Sequence, residues 1–354
     1  PPRNELDQAV AAGRLSPDDP QGAFALLRRL KPRLTPEQYL LEENRVRIAL
    51  EERGQQVLLR YLAGDQIPLT RDDFTQGAGW FSAARLLTPE SLLLESREVF
   101  CRGRVKLFEK DYRQAADLLE RAAKIDSSGA YSFNALGIAY LEQADFPRAV
   151  AAFQDAIRLA PYWAYPLHNL ALAYTETGDY DAAVRSYRQA IRLAPRYSYL
   201  PYNLGLVYQR TNRRKDAEGA YRQAIALTPD LGEPYNALGY LKASQGKAAE
   251  AERFYRQALE KSPTLLAARH NLAVLLAPQP ERAAEAVALW RQNLTQSPDY
   301  LPSRLSLARA LERQGQSAAA AQEYTEMVRR KPDYVAARLA LAELENKAGR
   351  PAAA

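Results

Sequence analysis

Side chains able to do chemistry are scarce in this sequence. Of its 354 residues, two are histidine, His168 and His270, and one is cysteine, Cys101. A single thiol excludes an internal disulfide framework and any thiolate metal cage. His168 and His270 could hold a metal or share a proton only if the fold brought them together, and they lie 102 residues apart. Cys101 has no histidine near it and reads as a small buried apolar residue rather than a nucleophile. No phosphate loop or dinucleotide fingerprint is present. Gly77-Ala78-Gly79 sits in a helical pattern and marks a close helix contact. Glu42–Glu43, Glu51–Glu52 and Asp72–Asp73 read as solvated faces and helix starts. The sequence therefore predicts no catalytic residue, no metal site and no cofactor, and its chemistry points to binding.

Composition and charge narrow the partners. An apolar fraction of 47% is ample for a packed core, and there is no run of 18 apolar residues. The formal charge of +6 is spread out: residues 1–95 carry 12 basic and 14 acidic side chains, residues 96–354 carry 36 and 28. The densest basic run, Arg210 to Lys215, has four cations in six residues. Even spreading argues for arginines on solvated helix faces and against a nucleic-acid track. The chain opens Pro-Pro-Arg and its one methionine is Met327, so this is not a native translation start, and whether a leader, anchor or domain lies upstream stays open. Cytoplasmic and exported locations both stay open, as does the oligomeric state.

The elements that must position these residues announce themselves by period. Pro161, Pro195, Pro229 and Pro263 are spaced by 34, with Pro298 after 35 and Pro332 after 34 again. Ala115, Ala149, Ala183, Ala217, Ala251, Ala286 and Ala320 keep the same frame. So do Leu119, Phe153, Tyr187, Tyr221, Tyr255, Trp290 and Tyr324 four residues on, and the pairs Leu136–Gly137, Leu170–Ala171, Leu204–Gly205 and Leu238–Gly239 upstream. Each period reads as two helices around a short break, with the proline stopping the second. Small columns allow close helix approach, and the aromatic column fills the space between pairs.

This pattern resembles the tetratricopeptide repeat family, on Leu136, Gly137, Tyr140, Ala149, Phe153, Ala156 and Pro161 and their later equivalents. The resemblance implies an all-α, right-handed superhelical solenoid with the first helix of each pair on the concave face. Seven repeats are expected over 96–334, at 96–129, 130–163, 164–197, 198–231, 232–265, 266–300 and 301–334. Residues 335–354 are expected to form a capping helix and tail. Residues 1–95 read as an irregular helical region of degenerate repeats or a separate cap, with one long helix over Pro36–Ala63 and a long connection at Gly64–Arg71. Arg102, Lys106 and Ser127 depart from the pattern in the first repeat, Lys242 replaces an aromatic, and Pro278-Gln279-Pro280 adds a residue to the sixth.

On this frame the concave lining can be read. Tyr131, Tyr165 and Tyr199 come near the helix starts, followed by Asn134, His168, Tyr202, Asn236 and His270, then Asn169, Asn203 and Asn271. Tyr240 lies further along, and Trp163, Tyr197 and Tyr300 sit at repeat junctions. Tyrosine offers apolar area with a hydroxyl at low entropic cost. Asparagine can pair with both groups of a peptide backbone, although the same amides could instead bond to neighbouring helices. Asn169 and Asn203, one repeat apart, are similar to the asparagine ladder of the O-linked N-acetylglucosamine transferase superhelix. The lysines and arginines with which co-chaperone members of the family grip a carboxylate are missing from the lining. The sequence thus predicts a non-enzymatic scaffold that takes a protein or peptide segment through Tyr131, Asn134, Trp163, Tyr165, His168, Asn169, Tyr197, Tyr199, Tyr202, Asn203, Tyr240, His270 and Asn271. The alternatives are the recruiting region of a larger enzyme and an envelope assembly protein.

Overall fold

A computed structural model describes residues 2–64 and 68–347. The tail at 348–354 and part of the Gly64–Arg71 connection, residues 65–67, lie outside the described residues. Among the described residues the regular structure is entirely helical. The helices form two compact units, Pro1–Pro195 and Arg196–Ala354.

The first unit contains α1 (Pro2–Ala11), α2 (Ala23–Leu30), α3 (Pro36–Ala63), α4 (Arg71–Leu87), α5 (Leu92–Phe108), α6 (Tyr112–Ile125), α7 (Ala130–Glu142), α8 (Phe146–Leu159), α9 (Ala164–Thr177) and α10 (Tyr180–Leu193). The second contains α11 (Tyr199–Arg210), α12 (Arg214–Leu227), α13 (Gly232–Ala243), α14 (Ala248–Lys261), α15 (Leu266–Leu276), α16 (Ala283–Gln296), α17 (Leu301–Arg313), α18 (Ser317–Arg330) and α19 (Val335–Lys347). Each unit is a stack of antiparallel pairs in which every helix packs on its chain neighbours. First helices also touch the first helix of the next pair, as α5 does α7 and α13 does α15, whereas second helices do so less. The first-helix side is therefore the inner side of each stack.

Helix boundaries follow from local chemistry. Thr35 caps α3 through a capping box with Gln38, with Pro36 at the first turn. Asp111, Asp145 and Asp179, each 34 apart, cap the second helices α6, α8 and α10 by accepting from the backbone N–H groups of Gln114, Arg148 and Ala182. One residue earlier the chain turns through the left-handed region, at Lys110, Ala144 and Gly178, and again at Asn212 and Gly246. The sixth repeat lacks such a residue; its turn runs through a short 3-10 segment at Pro280–Arg282.

Within pairs the glycine column lies under the aromatic column. A Cβ on Gly137 would stand 2.5 Å from the Phe153 ring, and one on Gly205 2.5 Å from Tyr221. The same contact recurs in the long hairpin of α3 and α4, where a Cβ on Gly54 would come within 2.7 Å of Phe81. The odd residues of the pattern also find places. Lys242 is buried and its Nζ donates to Glu218 at 2.9 Å, while Arg102 pairs with Glu98 along its own helix.

Ala144 holds φ at 58° in an exposed turn where Gly178 holds the equivalent position at 80°. A side chain there costs about 1–2 kcal/mol, part of which glycine returns as unfolded-chain entropy. Ala144→Gly is expected to stabilise the fold by about 0.5–1 kcal/mol. Denaturant melts read this directly; an unchanged or lower midpoint would show that the turn does not need the left-handed geometry.

Candidate functional site

The first unit gathers six of the expected lining residues into one cluster, and its centre is a residue the period does not reveal. Tyr61, near the end of α3, is 7% exposed. Its ring meets Phe100 at 5.5 Å, Trp163 at 5.8 Å and Tyr165 at 6.3 Å between centroids. The Arg104 guanidinium lies 4.8 Å from the Tyr61 ring and 4.9 Å from Phe74. Tyr131 packs on Phe100 at 4.8 Å, and its hydroxyl lies 3.3 Å from Asp126 Oδ2.

A polar line runs through this aromatic cluster. Asn169 Nδ2 donates to Asn134 Oδ1 at 2.9 Å, and Asn134 Nδ2 donates to the Tyr61 hydroxyl at 2.8 Å. Asn134 is 0% and Asn169 4% exposed, so these two amides serve the scaffold and present nothing to a ligand. Burial pushes the Tyr61 phenol up to about 12, which keeps it neutral as an acceptor. His168 lies between the rings of Tyr165 and Tyr187, with centroids 6.2 and 5.8 Å away.

The second unit keeps its inner face more open. Tyr240 on α13 is 51% and Val274 on α15 47% exposed. Tyr197 stacks near Tyr199 at 5.6 Å, Tyr202 near Tyr221 at 6.0 Å, and Asn203 is part-buried. Burial raises the Tyr202 phenol, with the Glu233 carboxylate adding to the effect. His270 Nδ1 stands 3.3 Å from Ser303 Oγ, with Tyr300 and Trp290 rings nearby, and burial lowers its pKa. Asn271 Nδ2 donates to Asn236 Oδ1 at 2.9 Å. Beside Val274 a cleft of about 580 Å³ opens between the sixth and seventh repeats, lined by Ala277, Pro278, Trp290 and Arg309 among others.

The cleft has a sequence cause. In the fourth and seventh repeats the aromatic-column hydroxyl donates to the end of the first helix, Tyr221 to Gln209 at 2.8 Å and Tyr324 to Glu312 at 3.4 Å. The matching residue of the sixth repeat is Ala277, next to the inserted turn, and the buried indole N–H of Trp290 has no partner.

Other chemical candidates are accounted for locally. Cys101 is fully buried beneath Gly77, and burial pushes its thiol up. Arg213 pairs with Asp216 at 2.7 Å and lies over Tyr208, and Arg214 bonds Asn212. Among the described residues no group of three His, Cys, Asp or Glu side chains could hold a metal. None of the helices there is long and apolar enough to cross a membrane.

Stacked helix pairs with this column chemistry define a helical-repeat protein. The chain belongs to the tetratricopeptide repeat family. A family model described as tetratricopeptide repeat matches residues 102–163, 202–266 and 305–354, and one described as TPR repeat matches 171–212. Arrays of this family generally act as protein-interaction scaffolds. No curated protein matches the chain. Among solved structures it is similar to yeast Tom70, at 17% identity over 98% of this chain and 82% of that one, TM-score 0.63. It is also similar to a tetratricopeptide repeat protein from Parabacteroides merdae, at 17% over 70% and 98%, TM-score 0.56. A third is the APC/C hetero-tetramer Cut9–Hcn1, at 16% over 93% and 60%, TM-score 0.54. At these identities the likeness is one of fold.

The bond between Tyr61 and Asn134 can be tested by itself. Tyr61→Phe leaves Asn134 Nδ2 buried without an acceptor, a cost of about 1–3 kcal/mol. Hydrogen exchange of α7 amides in the intact chain should accelerate several-fold or more; unchanged protection would show the bond to be dispensable.

Burial lowers the His168 pKa to about 4 from an ordinary 6.5. Between these values the unfolded chain binds a proton that the folded chain refuses, so stability falls as pH drops through that window. His168→Gln is expected to flatten this acid loss in melts taken from pH 7 to 4. An acid limb of unchanged slope would remove His168 as its source.

Proposed function

We propose that this chain is a non-enzymatic scaffold that holds a segment or helix of a protein partner on its inner, first-helix face. Its organisation is read as an irregular helical region over 1–95, seven repeats over 96–334 and a capping helix with tail over 335–354. The observation that carries the reading is the apolar exposure on the inner face of the second unit. Tyr240 is 51% exposed, and Val274, 47% exposed, lines a cleft of about 580 Å³. Large apolar side chains half in water on the inner side of a stack, next to a concave cleft, are what a docking segment covers. The tyrosines at 197, 199 and 202 extend that lining with rigid amphipathic rings, which lose little freedom on binding.

In the first unit Trp163 and Tyr165 pack on Tyr61 of α3, while Tyr131 packs on Phe100 and His168 on Tyr165 and Tyr187, so all four are assigned to the scaffold rather than to the partner. The burden of recognition then falls on the second unit.

The test is affinity capture from source-cell lysate with the intact chain, a Tyr240→Ser/Val274→Ser variant and a Tyr162→Ser control. Tyr162 is 86% exposed in the first unit. Loss of central apolar anchors commonly costs about 2 kcal/mol or more. A partner retained by wild type and control and lost by the double variant is the expected result. A partner held equally by all three would move the site away from this face.

A further inference from the structure

The two units carry the same polar device at a spacing of three repeats. Asn134, His168 and Asn169 recur as Asn236, His270 and Asn271, each displaced by 102 residues. In both copies the second asparagine donates to the first at 2.9 Å. The first asparagine is then left with an amide N–H to give. In the first unit that donor goes to the hydroxyl of Tyr61, delivered at 2.8 Å by helix α3. In the second unit no group among the described residues accepts from Asn236 Nδ2.

Two further observations mark the second copy as unfilled. Glu233 lies one helical turn before Asn236, on the same face. Its Oε2 atom is buried and has no hydrogen-bond partner, and the Tyr202 phenol, near enough to feel its charge, does not bond it. A buried acceptor without a donor is costly, and the part-buried Asn236 amide stands one turn away. The apolar surroundings differ in the same sense. Ile138 and Leu172, on the inner face of the first unit, are part-buried, whereas Tyr240 and Val274 at the same register are half-exposed.

A hydroxyl is the group that both accepts and donates. It could take the Asn236 N–H and give its own proton to Glu233, while an attached ring covers Tyr240 and Val274. From the filled copy we infer that the Asn236–Glu233 position is a receiving subsite for the phenol of a tyrosine presented by a helix of the partner. The subsite repeats in trans what Tyr61 of α3 does in cis. The inference rests on the reading of the inner face as partner-binding, and it names the chemistry of one anchor.

The probe is a phage-displayed library of random 16-residue peptides selected on the intact chain. The Tyr240→Ser/Val274→Ser chain and two Asn236 variants are compared. Asn236→Asp keeps the oxygen that Asn271 uses and loses the donor; Asn236→Ala removes the amide without adding charge. Circular dichroism melts establish that both remain folded. The expected result is peptides enriched in tyrosine, in which Tyr→Phe weakens binding about 3- to 10-fold, the range of one hydrogen bond. Either Asn236 variant should give a similar loss, and the peptide and protein losses should not add. Binders that need Tyr240 and Val274 but show no tyrosine preference and ignore both Asn236 variants would overturn the subsite and leave the face reading intact. Binders indifferent to all of these residues, or no binders at all, would overturn both.

Discussion

The array depends on how closely the two helices of a pair can approach. At Gly137, Gly205 and Gly239 an added Cβ would fall within 2.6 Å of the aromatic ring across the pair. Ordinary van der Waals contact needs a full ångström more, so the ring occupies the volume a side chain would take. That contact fixes the spacing of the pair. A fixed spacing lets each pair offer the next the same surface, which is why the sequence repeats at 34 residues rather than merely alternating helices. Positions on the inner face of one first helix then fall opposite the same positions of the next. The paired asparagines are a consequence of this spacing, since a short amide can bridge two backbones only when they are held close.

Much of this architecture was legible in the sequence. The proline stops and the small and aromatic columns all obey the period, and each has a local physical reason. The inner-face positions were legible for the same cause. What the side chains do there was less so. Asn169 reads in sequence as a member of a ladder one repeat from Asn203. In the structure its amide donates to Asn134, 35 residues earlier, because the helix turns the next residue toward the neighbouring pair. Tyr61 could not be found by period, since it reaches Asn134 from 73 residues upstream on a helix longer than any repeat uses. Lys242 shows the same limit. Its break in the aromatic column is visible, but its buried pairing with Glu218 is a tertiary fact.

The asparagine pair illustrates how one polar motif takes two roles. An amide has four hydrogen-bonding capacities, and a neighbour of the same kind satisfies only some of them. Where a helix closes over the pair, as α3 does over Asn134 and Asn169, the remainder must be met from within, and a phenol does so while burying its ring. Where no helix closes over it, water or a partner meets the remainder. The same sequence element is thus a core device in one unit and a part-buried one in the other. Burial decides between the two roles, and residue type does not.

Charge adds little to recognition on such a frame. Many of the arginines are paired locally: Arg282 lies 2.8 Å from both Glu252 and Glu285, and Arg256 2.9 Å from the same two carboxylates. The two guanidiniums together hold Glu252 down to about 2. Surface pairs of this kind contribute little stability, yet they leave little unbalanced field to steer a polyanion. On the proposed reading, a chain with so many of its cations paired to its own carboxylates discriminates chiefly by shape and by directed hydrogen bonds. Both are supplied by rigid helices whose spacing the ring-on-glycine contacts set, and neither weakens steeply with salt. On the proposed reading, the same packing that makes the period readable makes the inner face a preformed surface, so that most of the freedom lost on docking is the partner's.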